Sequence, residues 1–253
     1  MHLFLVNDDG VGAKGIMALL EAAVRRGHRV TMCAPKYQQS AASHRFTLND
    51  PIFAAPYPVS QPGCRAWAVT GSPADCVRVG LSALIDEPVD AVISGINEGH
   101  NAGMATWYSG TVGAAREGSF HHLPAVAASI HHHATQRMLD AFAEYVIRVT
   151  EQYAQKSMPS GTILNINAPL AEPEDWKPAV YAPLNTAVYT DRYERRESPR
   201  AGTYFWLEKD SSMEPTVPDS DDDYLARGHV TLTLMGQPVM EASSEWEKLG
   251  IDC

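Results

Sequence analysis

Cysteine is scarce in this sequence, and its few cysteines are not spaced for metal binding. Four of the 253 residues are cysteines, and no two of them form a C-x-x-C pair. So few thiols in so long a chain do not indicate a disulfide framework, and their spacing does not indicate a zinc site. We expect all four to be reduced thiols.

Long apolar runs and an excess of positive charge are also missing. The longest apolar runs are far shorter than the roughly 20 residues of a membrane-spanning helix. The first residues do not combine a basic segment with a secretory apolar stretch. We therefore expect a cytoplasmic protein with no membrane partner. The formal net charge of -10 disfavours binding of duplex nucleic acid through a broad basic face, but a local pocket for a small phosphorylated ligand is compatible with it.

The first two-thirds of the chain alternate strand-like and helix-like segments. Apolar residues make up 45% of the sequence, enough for a substantial core. The alternation predicts an α/β fold, in which a mostly parallel sheet carries helices on both faces. The predicted strands cover residues 2–6, 29–34, 65–70, 90–95, 125–130 and 162–167, and the predicted helices cover 13–26, 73–85, 112–120 and 136–153.

Two regions depart from this alternation. Residues 36–63 are polar and rich in proline, and are too long for an ordinary connection, so we expect an ordered excursion or an active-site loop. Beyond residue 170 the strands become aromatic-rich. We therefore divide the chain into a core, 1–170, and a C-terminal extension, 171–253, with a β-hairpin or arm that stands apart or returns to the core. Exposed strand edges in this extension predict a homo-oligomer.

Asn7-Asp8-Asp9-Gly10 places two adjacent carboxylates directly after the first apolar strand. These four residues are also ordinary turn chemistry, and taken alone they favour a plain turn. Their location favours a binding site, because open α/β sheets bind ligands at the carboxyl ends of their strands. Two acids so close together repel each other unless a cation lies between them.

Other polar residues follow neighbouring strands, and we expect them to meet the acid pair. Ser40 lies in the loop after the second strand, and Asn97 and Asn101 follow the strand 90–95. Carboxylate, hydroxyl and amide oxygens form a hard donor set that suits Mg²⁺ or Mn²⁺ better than Zn²⁺. The sequence therefore predicts a site for a hard divalent cation.

A phosphate site is expected beside it. Ser109-Gly110-Thr111 begins a predicted helix. The first N–H groups of a helix have no partner within the helix, and the helix dipole favours an anion at this end. The predicted cation and phosphate sites lie together.

Six motifs follow one another through about two-thirds of the chain. They are Asn7-Asp8-Asp9-Gly10 with Gly15-Ile16, Ala34-Pro35 with Gln39-Ser40, Gly71-Ser72-Pro73-Ala74-Asp75-Cys76-Val77, Ser94-Gly95-Ile96-Asn97 with Gly99 and Asn101, Tyr108-Ser109-Gly110-Thr111-Val112-Gly113-Ala114-Ala115 with Glu117-Gly118, and Leu164-Asn165-Ile166-Asn167-Ala168-Pro169. In this order they make the chain resemble the SurE-type survival proteins, a family of metal-dependent 5′-nucleotidases.

The resemblance implies a Rossmann-like core that hydrolyses nucleoside 5′-monophosphates to nucleoside and phosphate. It also suggests 3′-nucleotides and short polyphosphate as further substrates. One divalent metal per subunit, Mg²⁺ or Mn²⁺, is implied, with Asp8 and Asp9 as the catalytic residues. The implied metal ligands are Asp8, Asp9, Ser40 and Asn97.

The resemblance further implies the phosphate contacts and the assembly. A homodimer or homotetramer built through the C-terminal extension is expected. The implied phosphate-binding residues are Asn101, Ser109, Gly110 and Thr111.

Two other functions remain open at the level of the sequence. In haloacid-dehalogenase-type phosphatases one residue separates the two aspartates, whereas Asp8 and Asp9 are adjacent. A non-catalytic nucleotide sensor would use the same cation and phosphate site for binding alone. Release of phosphate from a nucleotide distinguishes an enzyme from a sensor.

Several other residues have a simpler structural interpretation. We interpret His131-His132-His133 and the acidic tract 219–223 as solvated loops, and we expect Trp107 and Tyr108 to pack locally rather than to stack on a base. The sequence does not decide whether His44 and Arg45 contact a phosphate.

Overall fold

The computed structural model describes residues 1–208 and 212–236, and its main feature is a nine-stranded sheet. The strands follow the order β3-β4-β2-β1-β5-β6-β7-β13-β8. Neighbouring strands are parallel except at β3–β4 and β7–β13. The strands are β1 His2–Val6, β2 Arg29–Pro35, β3 Ala54–Pro56, β4 Arg65–Val69, β5 Ala91–Glu98, β6 Ala125–Ile130, β7 Ile163–Ala168, β8 Lys177–Tyr181, β9 Tyr189–Thr190, β10 Tyr193–Ser198, β11 Gly202–Leu207, β12 Ser212–Met213 and β13 His229–Met235.

Helices cover both faces of the sheet, as predicted. Alternate side chains of β1 point to opposite faces, so Leu3 and Leu5 belong to one apolar core while Phe4 and Val6 belong to the other. The first core lies under α1 and α5, and the second lies under α2 and α4. The helices are α1 Lys14–Arg25, α2 Pro73–Val79, α3 Ala105–Tyr108, α4 Gly110–Phe120, α5 Gln136–Tyr153 and α6 Asp221–Ala226.

Most of the predicted elements agree with these bounds to within one or two residues. The strand predicted for 90–95 is longer, because β5 continues to Glu98 and carries Asn97 on the strand itself. The helix predicted for 73–85 is α2 followed by a π-helical turn, Gly80–Leu84. The short helix α3 was not predicted, because four residues are too few to show a helical period.

The C-terminal part contributes both to the main sheet and to a separate hairpin. β13 lies between β7 and β8 in the sheet, while β10 and β11 form an antiparallel pair of their own. No helix among residues 1–208 and 212–236 combines the length and the apolar character that a membrane crossing requires.

The interpretation of the acidic tract 219–223 as a solvated loop is wrong for its centre. These residues cap and begin α6, and the Asp221 side chain is fully buried. Its carboxylate accepts hydrogen bonds from the backbone N–H groups of Gly103 at 2.9 Å and Asn185 at 2.7 Å. Backbone N–H groups from distant segments therefore compensate the cost of burying Asp221. The acidic residues around it in the sequence indicate a solvated side chain.

Space at the end of β5 is limited by the close approach of α1. A Cβ atom on Gly15 would lie 1.9 Å from the carbonyl oxygen of Ile96. Only glycine allows the helix to lie this close to the strand that carries Asn97.

Asp75 connects the start of α2 to the long loop 36–53. Its carboxylate accepts hydrogen bonds from the Ser72 N–H and from both the N–H and the hydroxyl of Thr47, at 2.7 to 2.8 Å. Ser72 completes a capping box with Asp75, and its hydroxyl donates to the Arg45 carbonyl. Burial favours the neutral acid, but the hydrogen bonds from Thr47 and Ser72 outweigh it and lower the pKa of Asp75.

We predict that Asp75→Asn lowers the free energy of unfolding by about 1–3 kcal/mol near neutral pH. The folded-state pKa is depressed, so the contribution of ionised Asp75 is fully present above the ordinary value of 3.8 and is lost as the pH falls through the folded-state pKa. Urea denaturation of both proteins at a series of pH values measures this difference, which should shrink below that value.

The matched control for this prediction is Asp86→Asn. Asp86 is exposed, and its substitution should leave the unfolding free energy within about 0.5 kcal/mol of the wild type. A difference between wild type and Asp75→Asn that stays constant down to the acid limit would contradict the role of the charge.

Candidate active site

A cavity of about 270 Å³ lies at the carboxyl ends of β1 and β5. Six of the eight predicted site residues line it; Gly110 and Thr111 do not. Gln38, Glu98, Tyr108 and Tyr189 also line it, without having been predicted as site residues. The full lining is Asp8, Asp9, Gln38, Ser40, Ala41, Asn97, Glu98, Asn101, Ala105, Tyr108, Ser109 and Tyr189.

Asp8 is buried at the end of β1 and is held by Thr111. The Thr111 hydroxyl donates a hydrogen bond to Asp8 Oδ1, and the Thr111 N–H also interacts with this carboxylate. Burial raises the pKa of Asp8 to about 6; the hydrogen bond from Thr111 opposes this rise and the charge of Asp9 adds to it. The structure thus directs Thr111 towards Asp8 and not into the cavity.

Gly110 allows helix α4 to begin directly beside Asp8. A Cβ atom at position 110 would lie 3.0 Å from Asp8 Oδ2 and 3.1 Å from Pro73 Cγ. Ser109 caps the helix, because its hydroxyl accepts a hydrogen bond from the Val112 N–H at 3.1 Å. The positive end of the helix dipole therefore faces the acid pair.

Asp9 lies on the more open side of the pair. Its carboxylate accepts hydrogen bonds from the Glu98 N–H at 3.2 Å and from Gln38 Nε2 at 3.3 Å. Burial and the charge of Glu98 raise its pKa, although both hydrogen bonds oppose the rise. Both acids of the pair are therefore harder to ionise than ordinary aspartates.

The loop after β2 brings Ser40 to the cavity. The Gln39 N–H donates to the Asp8 carbonyl at 2.7 Å, which ties this loop to the end of β1. Arg45 reaches back to Gln39 Oε1, and His44 hydrogen bonds to Glu117 at 2.8 Å. The structure thus gives His44 and Arg45 partners within the protein and places neither in the lining of the cavity.

Asn97 and Asn101 are oriented by hydrogen bonds to their amide groups. Asn97 Nδ2 donates to the Gly99 carbonyl at 2.6 Å, which leaves the Asn97 Oδ1 atom as the donor to a cation. Asn101 is buried, and its Nδ2 donates to Ser129 Oγ at 2.8 Å.

Two further asparagines hold Asn101 from β7, which is separated from β5 by β6. Asn165 Nδ2 and Asn167 Nδ2 both donate to the Asn101 carbonyl, and Asn167 Oδ1 accepts from the Asn101 N–H at 2.9 Å. Both side chains are buried. Asn165-Ile166-Asn167 carries a local signal for this role, because polar residues at alternate positions of a buried strand need specific partners.

The donors around the acid pair fit a hard divalent cation. The set comprises two carboxylates, the Ser40 hydroxyl and the Asn97 amide oxygen, all of them oxygen donors. A cation at this position would favour the ionised form of both acids and offset their burial. Among the described residues no group of three or more histidine, cysteine or acidic side chains is arranged to hold a metal. The rings of His131, His132 and His133 contact one another, with centroids 4.1 to 5.3 Å apart.

Comparison with known proteins relates this chain to one protein family. The model of the family described as "Survival protein SurE" matches residues 3–191. The 5′-nucleotidase SurE of Synechococcus sp. (strain JA-3-3Ab) is 36% identical over 251 residues, which cover 98% of this chain and 96% of that protein. The 5′-nucleotidase SurE of Solidesulfovibrio magneticus (strain ATCC 700980 / DSM 13731 / RS-1) is 37% identical over 244 residues, which cover 96% and 94%.

A solved structure shares the fold. The crystal structure of SurE protein from Aquifex aeolicus matches with a TM-score of 0.78 at 26% identity, and the match covers 98% of this chain and 100% of that chain. Because the family match spans most of the sequence and the relatives are similar along nearly their whole length, this chain belongs to the SurE family of survival proteins.

Proposed function

We propose that this protein is a metal-dependent phosphomonoesterase that hydrolyses nucleoside 5′-monophosphates to nucleoside and phosphate, with 3′-nucleotides and short polyphosphate as further substrates. The observation that carries the proposal is the position of Asp8 and Asp9 beside the start of α4 in one cavity. A cation site and an anion site that share a cavity suit a phosphate ester. The 5′-nucleotidase names of the similar proteins support the same reaction.

The cofactor in this proposal is one Mg²⁺ or Mn²⁺ per subunit. When bound, such an ion neutralises phosphate oxygens and favours attack by water at neutral pH. The residues that would hold it are Asp8, Asp9, Ser40 and Asn97.

The phosphate lies, in this proposal, between the acid pair and helix α4. Asn101 and Ser109 line the cavity and contact the phosphate oxygens, and the Gly110 N–H adds a helix-start donor. Thr111 acts through Asp8, because its hydroxyl donates to that carboxylate.

Asp8 is the base in the hydrolytic step. The attacking water transfers a proton to the Asp8 carboxylate as its oxygen bonds to phosphorus. The ester P–O bond breaks, and the leaving nucleoside oxygen takes up a proton from solvent. Asp9 keeps the site negatively charged. Hydrogen bonds from the Glu98 N–H and from Gln38 orient the Asp9 carboxylate.

We predict that Asp8→Asn or Asp9→Asn reduces phosphate release from AMP by about a hundredfold or more, because each substitution removes a metal ligand and the first also removes the base. Phosphate release in the presence of Mg²⁺ or Mn²⁺ measures the effect. Without metal, Asp8→Asn should unfold at the same temperature as the wild type or higher, since a buried charge next to the charge of Asp9 is removed. Asp86→Asn is the matched control, and near-normal turnover of both site variants would refute the assignment.

Metal removal tests the cofactor and separates an enzyme from a sensor. EDTA should abolish phosphate release, and added Mg²⁺ or Mn²⁺ should restore it. The same ions should raise the melting temperature of the wild type, because a ligand that binds only the folded state stabilises it, and should fail to do so in Asp9→Asn. Stabilisation by metal and AMP with no phosphate released would identify a nucleotide sensor instead.

The assembly in this proposal is a homodimer or homotetramer formed through the C-terminal extension. The β10–β11 hairpin leaves large apolar side chains uncovered, including Phe205, Trp206 and Leu207 at 52 to 60% exposure. Adjacent exposed apolar side chains are typical of a protein interface.

We predict that the double variant Phe205→Glu, Leu207→Glu dissociates the assembly, since these residues lie on one face of β11 and charge there opposes burial. Light scattering coupled to size exclusion should show a multiple of 27.6 kDa for the wild type and a shift towards 27.6 kDa for the variant. Leu48→Glu, at another exposed apolar residue, should leave the mass unchanged. A monomeric wild type would contradict the proposal.

A further inference from the structure

A second cavity adjoins the cavity of the acid pair. Its volume is about 240 Å³, and it is lined by Met104, Tyr108, Val188, Tyr189 and Asp191. Tyr108 and Tyr189 line both cavities. The two cavities are therefore parts of one cleft, with aromatic side chains where they meet.

The chemistry of the second cavity differs from that of the first. None of its five lining residues is basic, and Asp191 is acidic, so this end of the cleft does not attract a further phosphate group. The side chains of Tyr108 and Tyr189 are 59% and 41% exposed, which leaves ring surface available to a ligand. The expectation that Tyr108 packs locally is therefore wrong, because its ring lines both cavities instead. Planar heterocycles stack on such rings, and the two cavities together have the size of a small-molecule site.

We propose that Tyr108 and Tyr189 form the subsite for the base of the substrate, so that the nucleobase stacks on these rings while the phosphate lies at the acid pair. This inference rests on the proposed function and adds the recognition of the nucleoside. Tyr189 belongs to the C-terminal extension, so the extension completes the substrate site of the core.

A buried network fixes the segment that carries Tyr189. Asn185 Oδ1 accepts hydrogen bonds from the Ala187 N–H at 3.1 Å and the Val217 N–H at 3.2 Å. The Asn185 N–H donates to Asp221, which also accepts from the Gly103 N–H. Asp221 therefore connects Gly103, which precedes Met104 in one wall of the second cavity, to Asn185, which precedes Val188 in the other wall. The subsite is thus formed before a ligand enters.

The charge state of Tyr189 agrees with a stacking role. Burial raises the pKa of its phenol, and the carboxylates of Asp222 and Asp221 raise it further. The ring therefore stays neutral at physiological pH and does not repel the electron-rich face of a base.

A third cavity offers a comparison. It has a volume of about 280 Å³ and includes the aromatic side chains of Trp107, Phe120 and His44, but it shares only Ser109 with the cavity of the acid pair. Trp107 is next to Tyr108 in α3 and is similarly exposed, at 53%. Trp107→Ala is therefore a matched control for the tyrosine variants.

Kinetics with AMP and with ribose 5-phosphate test the subsite, because the second substrate lacks the base. Tyr189→Ala and Tyr108→Ala should each lower kcat/KM for AMP about tenfold, mainly through KM. Their kcat/KM for ribose 5-phosphate should stay within about twofold of the wild type. Tyr189→Phe should retain the wild-type preference for AMP, and Trp107→Ala should leave both substrates unchanged.

Each alternative outcome has a distinct meaning. Equal losses on both substrates, or no loss on either, would overturn the subsite while leaving the proposed hydrolysis intact. Loss of the AMP preference in Trp107→Ala alone would place the base in the third cavity. If the wild type released no phosphate from either substrate, the proposed function would fail, and calorimetry of AMP binding would still test the subsite: weaker binding to Tyr189→Ala supports it and equal binding overturns it.

Discussion

The cost of holding two adjacent carboxylates largely out of water, directly after β1, is the constraint on which the rest of the site depends. Asp8 and Asp9 are both more basic than ordinary aspartates because burial and a neighbouring negative charge disfavour ionisation. Hydrogen bonds from Thr111, Gln38 and the Glu98 N–H reduce this cost but do not remove it. The hydrogen-bond donors to the pair in the described part of the chain are neutral, and a cation is the partner that would compensate both charges at once. The rest of the site can be understood as an arrangement that leaves room for that partner.

The surroundings of the pair are fixed by space as much as by charge. A Cβ atom at position 110 would lie only 3.0 Å from Asp8, so glycine favours the close approach of the helix start. The helix brings the positive end of its dipole to the place where an anion would meet the cation. On the far side, Asn165 and Asn167 hold the backbone of Asn101 from β7. Three hydrogen bonds with these buried side chains fix the backbone of Asn101, and a preorganised polar group loses little entropy when substrate binds.

The sequence predicted the central sheet and most of the cavity because both depend on local rules. Strand β6 and helix α5 have the predicted bounds, since a buried strand and an amphipathic helix are visible in the period of their apolar residues. The meeting of Asp8 with Asn97 follows from the rule that parallel strands end at the same edge of a sheet. Tyr189 carries no such signal, because it reaches the cavity through contacts between segments far apart in the chain. The same holds for Asp221, whose burial depends on backbone donors from two distant residues, Gly103 and Asn185.

The site has two parts: the acid pair, which the sequence predicts, and the aromatic cleft, which it does not. The acid pair directly follows β1, and Asn97 lies on β5; parallel neighbours on both sides hold these two strands in register. The aromatic cleft next to them is formed by α3 and by the C-terminal extension, which meet through Asp221. In the proposed function the phosphate lies at the acid pair, whereas the base contacts Tyr108 of α3 and Tyr189 of the extension. A substitution at Tyr189 would therefore change how the base is held without removing either carboxylate from the cavity.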